Sequence, residues 1–132
     1  MAIQLGTGLR NAMIGQYETT VGTSAYIKLF TGAQPSTCQD GTSGTFLCNI
    51  TLPSDWYGAA SGGTCSKSGT WQGTAAAAGT AAHYRLYNNG TSVCSEQGTV
   101  GQGSGDLSLD NVSIASGQVV TVTQWDRSIG GA

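Results

Sequence analysis

The chain has 132 residues, of which 21 are Gly, 17 Thr and 14 Ser, while charged residues make up only 9% and the net charge is −2. An ordinary soluble domain has roughly 25% charged residues and roughly 7% glycine, so this composition excludes a helical bundle, a coiled coil and a chain disordered by self-repulsion. Glycine also lacks the strict every-third-residue period of collagen.

In chain order, the first periodic segment is a helix. Thr7 is placed as its N-cap, Leu9, Met13, Ile14 and Tyr17 recur on one side, and Gly22 stops it. The period then changes from about 3.6 to two. Residues 25–31 read as a strand, with Ile27 and Leu29 on one face and Tyr26, Lys28 and Phe30 on the other. The clearest strand is 45–52, where Phe46, Cys48, Ile50 and Leu52 alternate with Thr45, Leu47, Asn49 and Thr51. Pro53 closes it, and a loop over 55–63 carries Trp56 and Tyr57. Short strands are expected at 64–66 and 69–72, with a small-residue loop over 74–80. A strand at 81–88 leads into Asn89-Gly90, a hairpin signal, with a partner over 91–97. A Gly-rich connection over 98–105 precedes strands at 106–110, 112–114 and 118–126, and residues 128–132 read as a frayed tail.

One helix followed by seven or eight short strands predicts a mainly β single domain spanning 1–132. The expected architecture is an antiparallel β-sandwich or jelly-roll-like barrel, with the N-terminal α-helix packed against it. Several strands carry bulk on both faces. Strict alternation places Trp125 opposite Val120 and Val122, and Tyr26 and Phe30 opposite Ile27 and Leu29. Tyr26, Phe30, Trp56, Tyr57 and Trp125 are therefore expected at an interface between copies or with a partner.

Four cysteines, Cys38, Cys48, Cys65 and Cys94, permit three pairings. Two readings stand: four buried thiols, or two disulfides closed in an oxidising medium. The most economical pairing joins Cys38 to Cys48 and Cys65 to Cys94. The N-terminus has neither a basic region nor an unbroken apolar run, so synthesis in a cytosol is expected, without a membrane span.

Chemistry is thinly represented. His83 is the sole histidine and no nucleophile is placed to join it. The seven acids nominate no pair for hydrolysis. Asp106, Ser108 and Asp110 alternate on one strand face and could help hold Ca²⁺, although the loop glycine and distal Glu of a calcium loop are missing and a solvated strand face explains them equally well. Trp56, Tyr57 and Trp71 could form a sugar-stacking platform, although packing in the core or at an interface accounts for them more readily. Five basic residues spread along the chain argue against nucleic acid. Neither an enzyme nor a cofactor is expected.

The order of segments resembles a family of small structural proteins of tailed bacteriophages and prophages. The resemblance runs through Leu9-Arg-Asn-Ala, Ile27-Lys-Leu-Phe-Thr-Gly-Ala-Gln-Pro, Trp56-Tyr-Gly-Ala-Ala-Ser-Gly-Gly and Gly79-Thr-Ala-Ala-His-Tyr-Arg-Leu-Tyr. It continues in Gly98-Thr-Val-Gly, Gly105-Asp-Leu-Ser-Leu-Asp-Asn and Ile114-Ala-Ser-Gly-Gln-Val-Val-Thr-Val. It implies a virion component that binds the major capsid protein as a decoration or cement protein, with a tail, baseplate or fibre part and a host- or glycan-binding module as alternatives. A homo-oligomer is implied too, a trimer matching threefold shell positions, with residues 1–8 as an arm to a neighbouring sheet edge. The four cysteines depart from the family pattern.

Overall fold

The computed structural model describes residues 3–88 and 93–129. Helix α1 (Thr7–Val21) ends at Gly22, where the backbone N–H donates to the Glu18 carbonyl. Its N-cap is Gly6 rather than Thr7, which is the first helical residue. The strands follow as β1 (Tyr26–Phe30), β2 (Phe46–Thr51), β3 (Thr64–Ser66), β4 (Gln72–Thr74), β5 (Gly79–Thr80) and β6 (His83–Tyr87). After these come β7 (Cys94–Gly101), β8 (Leu107–Leu109), β9 (Ser113–Ile114), β10 (Val119–Gln124) and β11 (Asp126–Ser128). Asn89-Gly90 lies outside the described residues. The expected connection at 98–105 is partly strand, because β7 runs on to Gly101.

Seven strands form one sheet in the order β2-β1-β6-β7-β8-β10-β4, and two-stranded ribbons pair β11 with β3 and β5 with β9. The ladders are antiparallel except for β7 and β8, which run parallel. The large sheet curls until β4 meets β2. There Cys48 bridges to Ala75, and the Ala76 amide donates to the Leu47 carbonyl at 2.7 Å. The result is a mainly β, nearly closed barrel with one helix against it. Closure depends on Gly73: a Cβ there would press on the Asn49 carbonyl oxygen and the Cys48 sulfur, so a side chain would push β4 off β2.

The barrel interior is filled by Ile27, Leu29, Ile50, Leu86, Leu107, Leu109, Val120 and Val122, all at most 1% exposed. The helix contributes Ile14 and Val21 to the same core. It does not bury the expected stripe, because Leu9 is 54% and Met13 44% exposed. Nor is the C-terminal segment loose at its start: β11 pairs with β3, and the Ile129 amide donates to the Gly63 carbonyl at 2.8 Å. Residues 7 and 8 of the expected arm belong to α1.

A β-bulge at Thr123 changes the reading of the last strand. Val122 pairs with Leu109, but Gln124 pairs with Ser108, so two steps on β10 match one on β8. The extra residue reverses the alternation. Trp125 thereby re-enters the core face shared by Val120 and Val122 and is 1% exposed.

The β1–β2 connection, residues 31–45, is a strap across the other face of β1, β6 and β7. Gly44, at φ 74°, closes its neck, where a Cβ would collide with the Thr31 carbonyl. The Thr31 amide donates to the Thr45 carbonyl, and the Thr45 amide to Thr31 Oγ1. Beyond the neck, Gln97 Nε2 donates to the Pro35 carbonyl, and Arg85 Nη2 to the Cys38 and Asp40 carbonyls. His83 Nδ1 lies 2.8 Å from the Gly32 carbonyl. A disulfide joins Cys38 to Cys94, with Cα atoms 5.4 Å apart.

This replaces the expected pairing. Cys48 sits on the inner face of β2 opposite Leu29, whereas Cys38 lies on the strap over the outer face, so the sheet separates them. Cys48 and Cys65 are free and buried. Burial pushes both thiols up from their ordinary range.

Residues 31–45 contribute no buried side chain. The strap is therefore held by polar contacts and by the Cys38–Cys94 bond rather than by a core of its own.

Candidate contact surface

The aromatic residues expected at an interface are mostly taken up by the chain's own core. Trp56, Trp71 and Trp125 are at most 1% exposed and Tyr57 is 4%. Trp125 is the hub: its ring centroid lies 5.6 Å from Tyr17, 5.9 Å from Trp56, 5.7 Å from Tyr57 and 5.5 Å from Trp71. The polar ends are satisfied internally, as buried Trp and Tyr require. Trp56 Nε1 donates to the Gly22 carbonyl, Tyr57 Oη to the Ile14 carbonyl and Trp71 Nε1 to the Ser68 carbonyl. The sugar-stacking platform of Trp56, Tyr57 and Trp71 is thus an interior cluster with no open ring face. Phe30 is also buried, stacked on His83 beneath the strap. Of the five interface residues, Tyr26 alone keeps partial exposure, stacked on Tyr87.

Beside the aromatic cluster lies a polar knot absent from the sequence reading. Glu96 Oε1 accepts from Tyr17 Oη at 3.0 Å, and Oε2 accepts from Tyr84 Oη at 2.8 Å and Trp125 Nε1 at 3.1 Å. Arg127 grips both oxygens, through Nε to Oε1 and through Nη2 to Oε2 at 2.8 Å. Its guanidinium also stacks 4.4 Å from the Trp125 ring. One carboxylate therefore ties α1, β6, β7, β11 and the Trp125 corner together. Its partner lies 31 residues away, and no local pattern announces the pair.

Burial pushes the Tyr84 hydroxyl well above its ordinary value, and the Glu96 charge adds to this. Tyr57 and Tyr17 shift the same way, again chiefly through burial. The folded protein thus holds these protons more tightly than the unfolded chain, whose tyrosines titrate near 10. Their contribution to stability is intact below about pH 10 and declines as the pH rises beyond it. Urea midpoints are expected to stay level up to about pH 8, to begin falling near about pH 8.5 as Cys48 and Cys65 ionise in the unfolded chain, and to fall more steeply above about pH 10 as the tyrosines follow. Tyr84→Phe should make that alkaline fall shallower; an unchanged slope would contradict the assignment.

The sequence-nominated oxygen ligands do not converge. The Asp106 carboxylate accepts from the Thr99 amide and hydroxyl, and Ser108 Oγ donates to the Ser104 carbonyl. Both line a polar hollow of about 300 Å³ with Gln124, Asp126 and Arg127. Asp110 is not part of it, and its Oδ1 accepts from the Asn111 and Thr121 amides instead. No cluster of three His, Cys, Asp or Glu able to hold a metal occurs among the described residues. His83, the sole histidine, is 1% exposed between Phe30 and the strap rather than at the surface.

Among the surfaces the chain turns outward is the far side of α1. Its exposed residues are Thr7, Gly8, Leu9, Ala12, Met13, Gln16, Thr19 and Thr20, and none is charged. The helix's two charges sit at its flanks: Arg10 donates to the Gly62 and Ile129 carbonyls, and Glu18 is half-buried. Surface helices normally carry charged residues on the face opposite the core, so this face suits contact. Met13, Gln16, Tyr17, Thr20 and Val21 line a groove of about 260 Å³ with Ser95 of β7. Ile3, just before the helix, is 70% exposed. The signal was present in the sequence as the scarcity of charge from Thr7 to Val21, masked by the assumption that Leu9 and Met13 face inward.

Neither a protein-family model, nor a curated protein, nor a solved structure matches the chain.

Proposed function

We propose that this protein is a structural component of a tailed-phage virion, a decoration protein that binds the head shell through the outer face of α1. The observation carrying this reading is the uncharged, partly apolar helix face, with Leu9 and Met13 exposed on it. Docking such a face removes no charge from water, which would otherwise cost several kcal/mol per unpaired ion. The short Thr, Ser and Ala side chains around it lose little rotamer freedom on contact. The knotted core supports the same reading, since a cement protein has to remain folded as a free subunit before it binds.

The test uses particles stripped of the protein and re-decorated with purified chain. Wild-type protein is expected to rebind, whereas Leu9→Glu/Met13→Glu binds at least about tenfold more weakly, because charge is forced into a dry contact. Both substituted positions are exposed, so circular dichroism and the melting temperature should stay unchanged. Rebinding of the double variant at wild-type occupancy would refute the helix face as the docking surface. Rebinding to isolated tails rather than heads would move the protein to the tail.

A further inference from the structure

We infer that residues 31–45 form a redox-locked strap, open when Cys38 and Cys94 are thiols and closed over the outer sheet face when they are joined. Three observations carry this. The strap has its own neck, closed by the Thr31–Thr45 hydrogen bonds and by Ser43 Oγ donating to the Ala33 carbonyl, so opening beyond it leaves β1 and β2 paired. The strap buries none of its own side chains, so the apolar area that resists release is limited to what it covers on Phe30 and Tyr87. The face beneath it is also imperfectly satisfied, since His83 Nε2 and Gln97 Oε1 are buried without a hydrogen-bond partner. Lifting the strap wets both atoms.

Locking is a thiol–disulfide exchange with a small disulfide such as oxidised glutathione. One cysteine thiolate attacks it, forming a mixed disulfide and expelling one glutathione thiolate. The second cysteine then attacks the mixed disulfide and expels the other. Two protein thiols become one disulfide, and one oxidised glutathione becomes two reduced molecules, so atoms and electrons balance. In a reducing compartment the open form presents Phe30, His83, Arg85 and Tyr87 to solvent; in an oxidising one the strap hides them.

Hydrogen–deuterium exchange on the full chain tests this, comparing oxidised protein with protein whose reduction is verified by a mass gain of two hydrogens. Amides of residues 33–43 are expected to exchange about tenfold faster or more after reduction, while those of β8 and β10 keep their protection. Hydroxyl-radical labelling of Tyr87 should rise in parallel. Cys38→Ser in the oxidised preparation should reproduce the reduced pattern, which separates loss of the lock from an effect of the reductant. Unchanged exchange at 33–43 would overturn the proposal. So would equal acceleration in β8 and β10, because the bridge would then be a global staple rather than a local lock.

Discussion

Glu96→Ala is expected to destabilise the protein by about 3–5 kcal/mol, because it strands a buried guanidinium without its counter-charge. Glu96 accepts five hydrogen bonds, from Tyr17, Tyr84, Trp125 and, twice, Arg127. The Glu96 and Arg127 side chains are only 14% and 15% exposed, so solvent screens the pair weakly. Removing the carboxylate leaves three neutral donors and one cation facing a void. Glu96→Gln should cost less, since the amide oxygen still accepts from part of the group. The double change Glu96→Leu/Arg127→Met should lose less than the sum of the single losses, because it removes both charges together. Urea unfolding of wild type, Glu96→Leu, Arg127→Met and the double variant checks this. Additive losses would mean that the knot is not one unit.

Trp125→Ala should be comparably severe, at about 3–5 kcal/mol. The indole touches four other aromatic rings and carries the Arg127 guanidinium on its face. Its removal opens a cavity at the turn where β10 leaves the main sheet and β11 joins β3. The melting temperature should fall by on the order of 10–20 °C, with loss of the near-ultraviolet dichroism of the coupled rings. Trp125→Phe should retain part of both. A melting temperature within about 3 °C of wild type for Trp125→Ala would contradict the central position given to this ring.

The two residues also mark where reading the sequence stops. Gly22 and the alternation of Phe46 to Leu52 are local signals, and they placed the helix and β2 within a residue or two of where they stand. The barrel and its helix followed from the count of short strands. Trp125 was put on the wrong face because alternation assumes an unbroken ladder, and the bulge at Thr123 depends on Ser108 and Leu109 in another strand. The Cys38–Cys94 bond was missed for a similar reason: economy of spacing favours near neighbours, whereas the strap crosses the outer face and meets a cysteine 56 residues away. The Glu96 knot has no local pattern at all. For the helix, Leu9 and Met13 match a core period, but the core is already filled by Ile14 and Val21 from that side, and the remaining apolar residues are left outside.

The aromatic corner is satisfied within the chain and offers a partner neither open rings nor free polar ends. The hydroxyls of Tyr17 and Tyr84, the indole nitrogens and the glutamate are all engaged inside. The uncharged helix face is a part of the fold that its own contacts leave unexplained. The low charge of the whole composition has its most specific expression there.

The most direct measurement is electron cryo-microscopy of the intact particle. The account predicts density for the barrel on the outer surface of the head shell, with α1 toward the shell and Leu9 and Met13 in the contact. Barrel density in the tail, or on the head with α1 facing solvent, would contradict it.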